Sequence, residues 1–497
     1  MVVYYLLILL KRMIERLFML SSDTNAKGLN ALRRSPAVSN INRFLAHPAY
    51  ILIVCFLALV GNLFALELAV YTLFVALCVY VFVLGEDLRP IMPLVILCYI
   101  LPSVDNNPGL SAQSIFSLEQ GGKYLLTLAA ILVVALILGL LTNKSWGGKA
   151  FFTKKRSLLG GFFLLTLTYL LSGVGSQDYG TLMGKNLLFG FTQAMAVCLP
   201  YLLFSGGVNW QKIRKDYFAW IGFGVGCVLL GQILWVYAST DVVVAGRIER
   251  RHIFTGWGMY NNMGGLLAMM IPFPFYLASR FRKGWIGSVV GTVFLIGVLL
   301  TCSRSSILTG CAVYALCIGL MIFSASNRRG NTVALIVVTS IIALVFLIFH
   351  RQLIRLFAEI IGRGLDPNSR DMIFKDGWKL FLRNPLFGNT FYPPENMSWS
   401  WSTNSGFTSF FPARWHNTFI QLLASCGIAG TAAYLLHRYQ TVRVFLRDRT
   451  REKAFIACSL GVLLITSLFD CHFFNIGPAL FYSMALAFGE HCVRRKK

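Results

Sequence analysis

The sequence predicts an all-α, polytopic membrane protein, and three observations carry that expectation. Of its residues, 56% are hydrophobic and only 13% charged, whereas a soluble domain is about half apolar and a quarter charged. The apolar residues fall in separate blocks of roughly 17–22, each long enough to cross a hydrocarbon core as a helix. Finally, 45 Lys and Arg stand against 20 Asp and Glu, a net charge of +25. These basic residues cluster between alternate apolar blocks, as the positive-inside bias requires. A length of 497 residues would allow two or three soluble domains, but the composition excludes them.

The elements follow in order. The first ten residues, MVVYYLLILL, are too short to span and run into Lys11, Arg12 and Arg16. A cleaved signal peptide would place its positive charges first, so this stretch reads as an interfacial amphipathic helix. With the basic residues Lys27, Arg33, Arg34 and Arg43 it makes a cytoplasmic or interfacial segment over 1–48. A transmembrane bundle is expected over 49–350, a long extracytoplasmic loop over 351–416, and further spans with a basic cytoplasmic tail over 417–497. Spanning blocks lie at about 49–65, 67–85, 90–104, 124–142, 158–176, 187–207, 218–239, 263–279, 285–303, 306–325, 332–350, 417–437, 456–470 and 473–490. The 49–104 region admits more than one division, which gives about 12–14 helices.

With both termini cytoplasmic, the connectors 143–157, 208–217, 280–284, 326–331 and 438–455 carry 19 of the 45 basic residues, Arg438, Arg443 and Arg447 among them, and the tail VRRKK four more. Most of the charge is therefore topology, and no nucleic-acid partner is expected. The 12 cysteines lie in or beside apolar blocks without CxxC spacing, so they read as small core residues. There is no Walker loop, GxGxxG fingerprint or HExxH helix. Carboxylates within the spans are nearly missing, Glu67 being the main exception, which weighs against a proton-coupled carrier.

Two outer segments break the charge pattern: 240–262, with Arg247, Arg250 and Arg251, and the long loop 351–416. A connection of that length is functional or separately folded. It opens on the amphipathic RQLIRLFAEIIG. A second helix is expected from Ser369 to Arg383, stopped by Asn384-Pro385. Outward-facing arginines need a reason, and the planar fork of a guanidinium suits phosphate oxygens. Arg247, Arg250, Arg251, Arg370 and Arg414 lie in these segments, and Arg304 sits at an outer junction. As a set they point to an anionic substrate such as a lipid diphosphate; singly, each also fits headgroup contact. His416 stands where the long loop re-enters the membrane, and its near-neutral titration suits a general base. His472, two residues after Asp470, is a second candidate. The loop's aromatic residues, among them Phe391, Trp399, Trp401 and Trp415 near Asn396, Asn404 and Arg414, fit either an interfacial belt or a sugar-binding groove.

RWHNTFIQLLASCGIAGTAAYLL resembles the His-Asn element of the O-antigen ligase and O-antigen polymerase superfamily, in which a long periplasmic loop runs back into a helix. NPLFGNTF at 384–391 is similar to that family's Asn-Pro-Leu turn, and SRDMIFKDGWKLF to its Arg-containing helix. TCSRSSILTG resembles its Ser-Arg junction, and GWGMYNNMGGLLAMMIPF its glycine- and asparagine-rich helix start. Together these cover roughly 245–435, in the family's order.

The resemblance implies a glycosyltransferase of the outer face of the cytoplasmic membrane. Its donor would be a glycan on undecaprenyl diphosphate; its acceptor would be another lipid-linked glycan or a different envelope molecule. His416 would activate the acceptor hydroxyl, Arg370 and Arg247 would hold the diphosphate, and Arg304 would support them. Arg250, Arg414 and Asn417 join the substrate-binding set. No metal and no cofactor are implied, and the reaction would invert the anomeric carbon. MYNNMGG stands where the family usually has an Asn-Pro-Asn-like turn, which leaves Arg247, Arg250 and Arg251 as alternatives for the diphosphate contact. Ligase and polymerase forms share these features. A flippase for lipid-linked oligosaccharide is the alternative from another class, and a structural component of an envelope-assembly complex is a third.

Overall fold

An apolar segment in a membrane must satisfy its backbone hydrogen bonds internally, and the helix is the local way to do so. The computed structural model describes residues 28, 31–101, 123–255, 258–324, 327–358, 362, 370–392 and 414–491, and the chain there is almost entirely helical. The interfacial helix expected at the N-terminus, Asn396, Asn404, Trp399 and Trp401 lie outside the described residues.

The helices are α1 (Pro36–Leu45), α2 (Pro48–Leu63), α3 (Glu67–Leu84), α4 (Ile91–Ile100), α5 (Lys123–Thr142), α6 (Gly148–Thr153), α7 (Leu159–Leu170), α8 (Tyr179–Gly207) and α9 (Tyr217–Ser239). There follow α10 (Tyr260–Met270), α11 (Pro272–Arg280), α12 (Trp285–Leu300), α13 (Arg304–Ser324), α14 (Arg328–Leu356), α15 (Arg370–Arg383), α16 (Thr418–Arg447), α17 (Arg451–Thr466) and α18 (Ile476–His491). Every expected apolar block coincides with helix. By length and composition, 7 of the described helices can cross a membrane, or 8 if the bent pair α1 and α2 is one span. The others are shorter. The block expected as a single span at 263–279 is two helices, because Pro272 starts a new one after Ile271. The amphipathic opening of the long loop is helical through Leu356, continuous with α14 past a non-helical Phe349.

The chain divides into two units, the first comprising Met1–Lys155, Leu203–Val244 and Glu249–Met263, the second Arg156–Leu202, Ala245–Ile248 and Gly264–Lys497. In the first, α9 packs on α2 and α5 on α3. Polar side chains close the helix ends there: Gln232 donates to Asn62 Oδ1 and to the Ile100 carbonyl, and Asn62 donates to the Leu101 carbonyl.

In the second unit α7 and α15 pack on α16, and α11, α12, α13 and α17 pack against one another. Sequence reasoning expected a straight span at 417–437, but α16 is broken at Gly427, whose φ is 64° and ψ is −158°. The chain bends sharply there, for the rings of Phe419 and Tyr434 have centroids 5.7 Å apart. In an unbroken helix those residues would be separated by roughly 22 Å of rise.

A break frees backbone groups on both sides, and the turn Asn384–Asn389 satisfies them. The Ala424 carbonyl accepts from Asn389 N–H at 2.8 Å, while Ile428 and Ala429 N–H donate to the Pro385 and Leu386 carbonyls at 2.9 and 3.1 Å. Ser172 Oγ donates to the Ser425 carbonyl at 2.6 Å. The turn is itself held by Asn384 Nδ2, which donates to the Gly388 and Val174 carbonyls.

A side chain at Gly427 would meet the Leu386 and Pro385 carbonyl oxygens, in a backbone region open essentially to glycine alone. Gly427→Ala is therefore expected to cost at least about 2 kcal/mol of stability, read as a lower thermal midpoint of the purified protein in detergent; an unchanged midpoint would contradict the account.

Candidate functional site

The expected helix over Ser369–Arg383 is present as α15, starting at Arg370 and ending at Asn384-Pro385. Its inner face, with Ile373 and Leu380, packs around Trp415 together with Phe374, Ile420 and Ala424. Trp415 and Phe391 are core residues rather than belt or platform: Phe391 is fully buried among Tyr169, Phe189 and Phe474. With Trp415 fixed, its neighbours Arg414 and His416 are fixed as well.

His416 has φ 49°, a left-handed conformation that costs a branched backbone about 1–2 kcal/mol. Asn417 follows as the N-cap of α16. Its Oδ1 accepts from Phe419 and Ile420 N–H, and its Nδ2 donates to the Leu468 carbonyl. The Asn417 amide thus serves the fold, tying the start of α16 to the turn between α17 and α18.

That turn brings Asp470 to His416, with Nδ1 and Oδ1 3.3 Å apart. Burial works against charge on Asp470, but the hydrogen bond and charge of His416, the charge of His472 and the Cys471 N–H outweigh it. Its carboxyl is held well below the usual carboxylate range, so Asp470 is ionised. An ionised carboxylate only accepts, hence Nδ1 of His416 donates and a neutral ring presents Nε2 as acceptor. The imidazole is about one-third exposed, Asp470 nearly buried.

His472, the second candidate base, is fully buried. A Cβ on Gly265 would lie 2.6 Å from its Cε1, so the ring rests against α10. Burial lowers its affinity for a proton, Asp470 opposes that, and the charges of His416, Arg414 and Arg370 add to it. The same relation places Arg370, Arg414, His416, Asp470 and His472 in one electrostatic neighbourhood. Arg414 is anchored by donating to the Phe474 carbonyl at 3.2 Å and lies 5.8 Å from the Phe189 ring centre. Arg370 is half-buried at the start of α15. Arg304 begins α13 after the tight turn at Cys302. That turn packs on Gly264, while Gly265 meets His472, so the Arg304 junction and the Asp470 turn rest on neighbouring glycines of α10.

Arg247 is exposed in a two-residue strand packed on α14, where Gly246 adjoins Arg355. Arg250 belongs to the first unit, buried with its guanidinium 5.0 Å over the Tyr260 ring. Arg251 and His252 line a cleft of about 550 Å³ with Ser239, Thr240, Asp241 and Phe254.

Sequence reasoning missed Asp470 as the partner of His416. The signal was present: an isolated acid at the junction of two apolar blocks, expected on the same membrane side as His416.

Residues 291–435 match the family model described as O-antigen ligase, and the expected resemblance is borne out over that segment. It runs from α12 into α16 and contains Arg304, Arg370, Arg414, His416 and the break at Gly427; Arg247, Arg250 and Asp470 lie outside it. No curated protein matches the chain. The apolar helices make this a multi-pass membrane protein, and the segment 291–435 is similar to O-antigen ligases.

The left-handed backbone at His416 separates two variants that both delete the ring. His416→Gly is expected to be more stable than His416→Ala by about 1 kcal/mol, as read from thermal or denaturant unfolding in detergent. Equal stability would mean the backbone there carries no strain.

Proposed function

We propose that the chain transfers a glycan from undecaprenyl diphosphate to an acceptor hydroxyl, with His416 as general base. The observation that carries this reading is the His416–Asp470 pair, in which the carboxylate holds the imidazole with Nε2 free to take a proton. The acceptor oxygen attacks the anomeric carbon, its proton passes to His416 Nε2, and the bond from that carbon to the diphosphate breaks with its electron pair on the leaving oxygen. Attack opposite the leaving group inverts the centre. Arg370 and Arg414 would stabilise the diphosphate as charge gathers on it, since fixed cations aimed at developing charge act strongly where water is excluded. Arg304 would support them across α10. Asp470 would stabilise the imidazolium once it forms.

In this reading the site opens on the extracytoplasmic side. Support comes from the arginines at the opposite helix ends: Arg451 donates to the Ser279 carbonyl beside Arg280, and Arg447 closes α16. The Asp470 turn follows the other end of α17, about 24 Å along that helix.

The test uses purified protein with an undecaprenyl-diphosphate-linked glycan, an acceptor and EDTA, following release of undecaprenyl diphosphate. Wild type is expected to release it despite the chelator, and His416→Ala and Asp470→Asn to lose on the order of 10²–10⁴-fold while staying folded. Arg370→Ala should weaken release as well. A ladder of products would mark a polymerase and a single shifted product a ligase. Full activity in His416→Ala, or movement of the lipid across a liposome without release, would overturn the reading.

A further inference from the structure

Arg438 was expected in a basic connector, where a long side chain would be solvated. Instead it lies inside the second unit, on α16, with its guanidinium carbon 4.6 Å from each of three ring centres: Tyr434 on the same helix, Phe473 in the turn after Asp470, and Tyr482 on α18. Its Nε and Nη2 are buried and have no hydrogen-bond partner among the described residues. Within that set no carboxylate forms an ion pair with it. A buried cation must be compensated, and here the negative faces of the three rings supply the compensation. Moving any one ring away would leave the charge less well held.

The placement matters because of what Phe473 is joined to. At one end the Asp470 turn is tied to the start of α16, by Thr418 N–H donating to the Ser467 carbonyl and by Asn417 donating to the Leu468 carbonyl. At the other end Phe473 is fully buried in the Arg438 cage, also packing on Tyr434 and Tyr482. Ser467 and Phe473 lie three residues to either side of Asp470. The carboxylate lies between these two anchors; Cys471 Sγ donates to Gln421 Oε1 and Arg414 to the Phe474 carbonyl alongside them, and the Arg438 cage is the anchor built on a buried charge.

We infer that Arg438 is a positioning residue: through the ring of Phe473 it sets the Asp470 turn at the distance that orients His416. The inference rests on the proposed role of His416 and Asp470, but its test has a readout that does not need turnover. A His Nδ1–H bound to a carboxylate gives a far-downfield proton resonance, assignable in ¹⁵N-histidine-labelled protein by its loss in His416→Gln.

Arg438→Met keeps the length of the side chain and removes the charge. It is expected to abolish the resonance, as Asp470→Asn does, while the thermal midpoint stays level or rises, since removing a buried charge often stabilises. Arg438→Lys, still a cation over the rings, should restore part of it. In the transferase assay Arg438→Met should lower kcat on the order of a hundredfold, as for a small misplacement of a reacting group, with donor KM unchanged and no further loss when combined with Asp470→Asn. If Arg438→Met unfolds, Phe473→Leu removes one ring and is read the same way. A resonance that survives in folded Arg438→Met or Phe473→Leu overturns the inference. Absence of transferase activity in wild type with the resonance lost in Arg438→Met would sink the proposed function alone.

Discussion

The structure depends on satisfying one broken helix. Where α16 is broken at Gly427, the backbone on both sides gives up its own hydrogen bonds, and unpaired peptide groups away from water are costly. The Asn384–Asn389 turn and Ser172 supply partners to the Ala424 and Ser425 carbonyls and to the Ile428 and Ala429 N–H groups. Everything at the site follows from that substitution. Because α16 bends, its first two turns lie against α15 and carry Asn417 to the Asp470 turn, and its second part carries Tyr434 and Arg438 to Phe473.

Charge is distributed around this frame with economy. The carboxylate of Asp470 stands beside His416 and His472, and the His416 hydrogen bond, the charges of both histidines and the Cys471 N–H keep it ionised despite burial. In return it fixes which nitrogen of His416 carries the proton. His416 comes to the carboxylate through space and His472 follows it by two residues, and they differ in kind: one is about one-third exposed, the other wedged against a glycine of α10.

Much of this was legible beforehand, and the legible parts share a cause. The apolar blocks, α15 with its stop at Asn384-Pro385, and the prominence of His416 are all written in local composition or spacing. What escaped was non-local. Asp470 is an unremarkable acid until the fold sets it 54 positions away beside His416, and Arg438 looks like a connector arginine because the break that draws it inward is specified by a lone glycine and a distant turn. Asn417 was legible as a residue of interest, but its amide is occupied in capping and tying α16. Pro272 was visible in the sequence, yet an apolar block hides a proline when only its length is weighed.

The helix break also imposes an order on assembly. As a continuous helix, α16 would be about 45 Å long, well beyond a hydrocarbon core of about 30 Å. It can shorten only when Ser172, made long before it, and the Asn384–Asn389 turn, made just before it, are both in place to take its freed backbone groups. The last step in building the site is then a docking event between segments that enter the membrane separately. A chain interrupted just before Ile428 would leave the Pro385 and Leu386 carbonyls of that turn without their donors.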